Sequence, residues 1–189
     1  MTKITRFRDI PLFTREASYQ VDYPMDHFIK YIDDEIATMN LQLCPDFQRG
    51  HVWTEKQQIA YLEFFLRGGK TGRDIYFNCP SWHHPVKEGA YDDYVCVDGL
   101  QRITAFRRFL NNEIKVFGSY RNEFTDSPRL LNDTIRLHVN DLKTRREVLQ
   151  WYIDMNAGGT PHTKKEITRV TQLLHDEIDR ENTAIEDKQ

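Results

Sequence analysis

Tyr94-Val95-Cys96-Val97-Asp98-Gly99-Leu100-Gln101-Arg102 decides how this chain is read. Four residues that are almost wholly apolar predict a short strand buried on both faces. Beyond Asp98 and Gly99, the spacing of Ile103, Phe106 and Leu110 predicts a helix. A buried strand that passes through a glycine turn into a helix N-terminus presents unpaired backbone N–H groups, the physical recipe for holding a phosphate. Gly99 has no Cβ to block a ligand, and Arg102, one turn in, carries a planar fork that matches phosphate oxygens. Asp98 fits an anion site only as a cap, a metal ligand or a group that positions water. The plainer reading of the same spacing makes Asp98 an N-cap, with Gln101 closing a capping box.

Outward from this junction, helical and strand signals alternate, as in an α/β or α+β domain. A helix is expected from Pro24 to Met39, with Phe28, Ile29, Ile32 and Ile36 on one face, followed by a short strand at Leu41 to Leu43. Thr54 and Gln57 have capping-box spacing and predict a helix from Glu55 to about Arg67, stopped by Gly68-Gly69. Asp74 to Cys79 reads as a strand and Pro80 to Asp92 as a polar loop. Further strands are expected at Ile114 to Phe117 and Thr134 to Val139, after a turn at Asn111-Asn112. The last third is helical, with capping boxes at Thr144/Glu147 and Thr163/Glu166 on either side of the glycine-rich turn Asn156-Ala157-Gly158-Gly159-Thr160-Pro161. No linker or repeat divides the chain, so one domain over 1–180 and a polar tail over 181–189 are expected.

The chain has 189 residues, 12% of them aromatic, which is long and apolar enough for a real core and argues against disorder. Its formal charge of −3 gives no global field toward nucleic acid or acidic membrane, so any phosphate site is local. No apolar run is long enough to span a bilayer, no hydrophobic signal core follows Met1, and three cysteines cannot all pair within the chain. A cytoplasmic protein with free thiols is the expectation. Cys79 and His83 have a permissible zinc spacing, but no second cysteine pair accompanies them and Cys96 lies inside the apolar strand; a structural zinc is not expected. The doublets Arg107-Arg108, Arg145-Arg146 and Lys164-Lys165 read as solvated helix faces, although two lysines in a first turn oppose the helix dipole and make a phosphate partner there worth testing. Asp92-Asp93 lies close enough to the strand to help hold Mg²⁺.

A second candidate region is Cys44-Pro45-Asp46-Phe47-Gln48-Arg49-Gly50-His51-Val52-Trp53, which lacks periodicity. Gln48 and Arg49 between two aromatics suit a base, a ribose or a phosphate. Equally, Phe47 and Trp53 staple the loop to the core while Arg49 pairs with an acid.

Pro45-x-Phe47-Gln48-Arg49-x-x-Val52-Trp53, the strand ending Asp98-Gly99-Leu100-Gln101-Arg102, and Asn156-x-Gly158-Gly159-x-Pro161 together resemble the ParB/sulfiredoxin-like domain. The branch is the one marked by Asp-Gly-Gln-Gln-Arg, as in the N-terminal domains of GmrSD modification-dependent restriction enzymes and SspE phage-defence proteins. The resemblance covers roughly Leu41 to Ile167. It implies an α+β nucleotide-binding domain, a small mixed sheet with flanking helices and a helical C-terminal third. It also implies binding of a nucleoside triphosphate with Mg²⁺, with hydrolysis linked to DNA restriction, phage defence or its evasion. By position, Asp98 serves catalysis or holds the metal, Gly99 forms the phosphate turn, Gln101 meets a phosphate or water, and Arg102 stabilises phosphate charge. Gln48 and Arg49 face the same pocket, and Asn156 and Thr160 line its rim.

The family's first glutamine is Leu100 here, which weakens hydrolysis if that side chain meets nucleotide or water and is harmless if it points into the sheet. Larger relatives continue into, or pair with, a His-Asn-His type nuclease; no such signature follows Glu166, so a nuclease partner chain or DNA is the implied partner. Two other readings remain: a non-catalytic DNA- or partner-binding regulator on the same fold, and a metal-dependent nuclease with Asp98 as ligand. The latter falls short of the usual carboxylate cluster.

Overall fold

The computed structural model describes residues 3–10, 19–48, 50–128, 133–157 and 164–186. Strands β1 (Tyr19–Pro24), β2 (Asp74–Asn78), β3 (Val95–Asp98) and β4 (Thr134–Asn140) form one mixed sheet in the order β1-β4-β2-β3. β4 runs antiparallel to β1, with Tyr19 opposite Val139, and parallel to β2, with Tyr76 opposite His138. β2 and β3 are antiparallel, Tyr76 lying opposite Asp98, with a register shift between Tyr76 and Phe77. Five helices accompany the sheet among the described residues: α1 (Met25–Met39), α2 (Glu55–Leu66), α3 (Leu100–Leu110), α4 (Arg145–Ala157) and α5 (Lys164–Glu186). This is the expected α+β architecture.

Local chemistry sets the helix ends. α1 stops at Asn40, whose left-handed φ of 55° closes the last turn. The Thr54–Gln57 capping box starts α2 as anticipated. At α4 the Glu147 carboxylate accepts the N–H of Thr144 at 3.1 Å, and the Thr144 hydroxyl accepts the N–H of Glu147 at 3.2 Å. Thr163, half of the third expected box, lies outside the described residues. α5 continues to Glu186, and Glu181, where a tail was expected to begin, pairs with Arg146 at 3.3 Å.

The sheet separates two cores. Ile75, Phe77, Cys96, Leu137 and Val139 pack against Phe28 and Ile32 of α1, Leu62 and Phe65 of α2, and Ile103 and Phe106 of α3. On the opposite face Val95 and Val97 meet Leu149 and Tyr152 of α4 and Val170 and Leu174 of α5. β3 therefore serves both cores, as its unbroken apolar run predicts.

Two strand expectations need correction, and one strand was not anticipated. Leu41 to Leu43 forms a single parallel bridge, in which Gln42 donates to the Tyr94 carbonyl and accepts from the N–H of Cys96, both at 2.9 Å. It goes no further because the next carbonyl on that edge, that of Cys96, is taken by the Gln48 side chain at 2.7 Å. Ile114 to Phe117 is a tight turn instead, with Val116 and Ser119 bonded to each other in both directions. β1 has no counterpart among the expected strands. Asp22 and Pro24 are weak strand formers, and β1 forms because β4 pairs with all six of its residues while Arg136 grips Asp22 at 2.9 Å.

Asp133 stands at the entrance to β4, 6% exposed, and accepts the N–H of Met25 at 3.4 Å. Burial, with the charge of Asp26 adding to it, raises its pKa to about 6. The folded protein thus holds this proton more tightly than the unfolded chain does. The stabilisation is complete below about pH 4 and is lost as pH rises through about 6. Asp133→Asn should exceed the parent in stability at pH 7 by on the order of 1–3 kcal/mol, with the gap closing below about pH 4. Equal denaturation midpoints for the two proteins at pH 7 would refute this.

Candidate functional site

The junction between β3 and α3 is built around a backbone that only glycine accepts. Gly99 has φ +133°, and a Cβ there would lie 2.7 Å from both Cδ1 and Cγ2 of Ile75. Gly99, not Asp98, is the N-cap of α3, and no side chain caps the helix. The capping-box reading of Asp98 and Gln101 is therefore replaced, because both side chains are engaged elsewhere.

Asp98 Oδ2 accepts from Nη2 of Arg102 at 2.5 Å, an i,i+4 pair in which the arginine side chain is 18% exposed and the carboxylate 45%. Burial alone would lower the pKa of this guanidinium; the adjacent Asp98 charge more than offsets it, so Arg102 stays charged. The pair uses one guanidinium nitrogen and one carboxylate oxygen, and the N–H groups of Gln101 and Arg102 face out of the first turn, as at any helix start. Cys96 lies fully buried in β3, two residues before Asp98. Burial, and then the charge of Asp98, push that thiol well above its ordinary range, which makes Cys96 inert packing. Leu100 itself is half-buried at the first position of α3.

Gln101 reaches away from its own helix. Its Oε1 accepts from the N–H groups of Val52 and Trp53 at 2.9 and 3.0 Å, and its Nε2 donates to the carbonyl of Gly50 at 3.2 Å. The carboxamide thereby clamps the second candidate loop against the junction. Gln58, 2% exposed on α2, holds the same loop through the Trp53 carbonyl at 3.1 Å and through His51 at 2.7 Å.

The other half of that loop is fixed from the opposite core. Phe47 is buried edge-on against Tyr152 of α4, with ring centroids 5.4 Å apart, and Gln48 is bonded to β3 as described. Arg145 grips both oxygens of Asp46 at 2.9 and 2.7 Å, and Arg169 of α5 donates to the carbonyls of Asp46 and Phe47 at 2.8 and 2.6 Å. Arg169 carries no sequence signal, and Arg145 was expected on a solvated face; their partners lie about a hundred residues away, so spacing could not find them. Asn156, one turn beyond Tyr152, donates to the Tyr152 carbonyl at 2.6 Å. Arg49 and Thr160, both expected at the pocket, lie outside the described residues, as do Gly158, Gly159 and Pro161.

The structure thus brings Gln48, Asp98, Gly99, Gln101 and Arg102 to one place, through β3, α3 and the clamped loop. No group of three or more His, Cys, Asp or Glu side chains able to hold a metal occurs among the described residues. A single exposed carboxylate with a free oxygen still suits Mg²⁺ when phosphates supply the remaining ligands. None of the helices among the described residues is long and apolar enough to cross a membrane.

An α+β domain with a strand–glycine–helix junction facing the clamped loop of Phe47 and Gln48 is the class that fold and site define. Residues 28–134, more than half of the chain, match the family model described as the GmrSD restriction endonuclease, N-terminal domain, and the chain belongs to that family. No curated protein and no solved structure matches it.

Two substitutions separate the turn from the clamp. Gly99→Ala should cost about 2–4 kcal/mol, combining a forbidden φ with overpacking against Ile75; a loss below about 1 kcal/mol would contradict the geometry. Gln101→Ala should leave the fold intact but accelerate hydrogen exchange at the Val52 and Trp53 amides. Unchanged exchange there would show that the clamp does not hold in solution.

Proposed function

We propose that this domain binds a nucleoside triphosphate with Mg²⁺ at the β3–α3 junction and that, within a restriction or phage-defence system, the bound nucleotide controls association with DNA or a nuclease partner. The observation that carries the reading is the charged, mostly buried Arg102, held one turn into a helix whose N-terminal amides face the same space.

In this reading Arg102 and the Gln101 and Arg102 amides take the phosphates, and Asp98 turns its free oxygen to the metal. Mg²⁺ supplies charge neutralisation across the phosphate oxygens. Gln48 and Gln101 position the loop that covers the nucleotide, with Arg49, Asn156 and Thr160 assigned to its rim by family resemblance. Leu100 stands where relatives carry glutamine. It is half-buried at the helix start, and in this reading its apolar side chain leaves a gap among the polar groups that would orient water.

Calorimetric titration with each of the four ribonucleoside triphosphates, with and without Mg²⁺, tests this directly. Saturable binding that depends on Mg²⁺ and falls at least tenfold in Arg102→Lys is expected, since lysine keeps the charge but loses the fork. Four flat titrations of correctly folded protein would overturn the reading. Leu100→Gln should raise the hydrolysis rate with little change in affinity, measured as phosphate release.

A further inference from the structure

At the far end of α3 from the junction, a cavity of about 450 Å³ opens between the last turns of α2 and α3 and the segment from Phe117 to Pro128. Its volume lies within the range of small-molecule sites. Leu66, Phe109 and Phe124 give it an apolar floor, the latter two rings meeting edge-to-face at 6.0 Å. Arg67 and Arg121 stand at its margin with Asp126 as the one carboxylate of the lining; outside the lining, Asp133 interacts electrostatically with Arg121, and Glu63 lies one helical turn before Arg67.

One wall is an aromatic in an unusual position. Phe117 occupies the first central residue of the two-residue turn Val116–Ser119 with φ 51°, followed by Gly118 at φ 81°. Such a turn favours Asn or Gly at that place, and a bulky side chain there is an outlier. Phe117 is also 43% exposed, so burial alone does not explain a ring at this place. Its N–H is anchored to the Glu63 carboxylate at 3.1 Å, and Arg67 lies over its ring, 5.3 Å from the centroid. An exposed ring held in a strained backbone, stacked by an arginine and facing a cavity, is built to contact something flat.

We infer that this cavity is a second binding site, for a small organic anion with a planar apolar body, independent of the proposed nucleotide site. The body lies on Phe117, Phe109 and Phe124, and the anionic group meets Arg67 and Arg121, which outnumber the one carboxylate of the lining, Asp126, while the Glu63 carboxylate is turned to the Phe117 N–H. A neutral ligand of the same shape gains the apolar contacts alone.

The full-length protein can be titrated with the anionic dye 8-anilinonaphthalene-1-sulfonate and with neutral N-phenyl-1-naphthylamine, following fluorescence and amide NMR shifts. One saturable site is expected, with shifts at the α3 C-terminus and Phe117 to Asp126, and the anion bound at least tenfold more tightly than the neutral dye. Arg67→Gln should weaken the anion severalfold and spare the neutral dye, whereas Asp126→Asn should tighten the anion. Phe117→Asn, which suits the turn better, should keep or raise stability while losing the dye. Arg102→Ala should change nothing here, so failure of the nucleotide reading leaves this test intact. Equal affinity for the two dyes, no saturable binding, or shifts confined to the β3–α3 junction would overturn the inference.

Discussion

The chain leaves β3 through a turn that has no room for a side chain. Ile75 of β2 fills the space where a Cβ on residue 99 would stand, and the +133° φ excludes every residue but glycine at reasonable cost. This contact fixes the angle at which α3 departs from the sheet, and that angle determines where Asp98, Gln101 and Arg102 point. Asp98 and Arg102 then face each other across one helical turn, and Gln101 projects sideways onto the backbone of residues 50–53. Had α3 begun with an ordinary serine or aspartate cap, the same residues would bond their own helix start, and the loop would lose its clamp.

That loop joins the two halves of the molecule. Phe47 belongs to the core under α4 and α5, whereas Trp53 leans on Tyr61 of α2, 5.3 Å away, on the other side of the sheet. Two arginines from the C-terminal helices, a glutamine from α2 and a glutamine from α3 all bond its backbone or its one aspartate. A loop rich in backbone polar groups is costly to place between two cores unless those groups are satisfied, and here side chains supply the partners that a ladder would supply in a strand.

Much of this was legible in the sequence. Apolar periodicity found α1, α2 and α3, and capping chemistry set the starts of α2 and α4 to the residue. The Val95–Val97 run disclosed a strand with two buried faces. The resemblance brought together motifs fifty residues apart that the structure indeed places side by side. What stayed hidden was decided by distant partners. β1 looks unlike a strand because its stability comes from β4, and Arg145 looks like surface because Asp46 lies 99 positions away. The same holds for Arg107 and Arg108, a basic doublet in sequence but neutralised by Asp33 and by Glu55 and Glu113 in the fold. The cavity beneath Phe117 left no pattern to read, since aromatic residues in a turn carry no period.

Pairing Arg102 with Asp98 has a consequence for discrimination among the anions of a cell. A bare guanidinium at a helix start would attract orthophosphate and other small oxyanions indiscriminately, and the site would be occupied most of the time. With its charge already compensated, it offers little to an anion that arrives alone, because capture would leave the carboxylate facing negative charge without a counter-ion. A ligand that brings its own divalent cation satisfies both members of the pair at once. In the proposed setting the ion pair therefore acts as a coincidence filter, admitting the complex of anion and cation over either component.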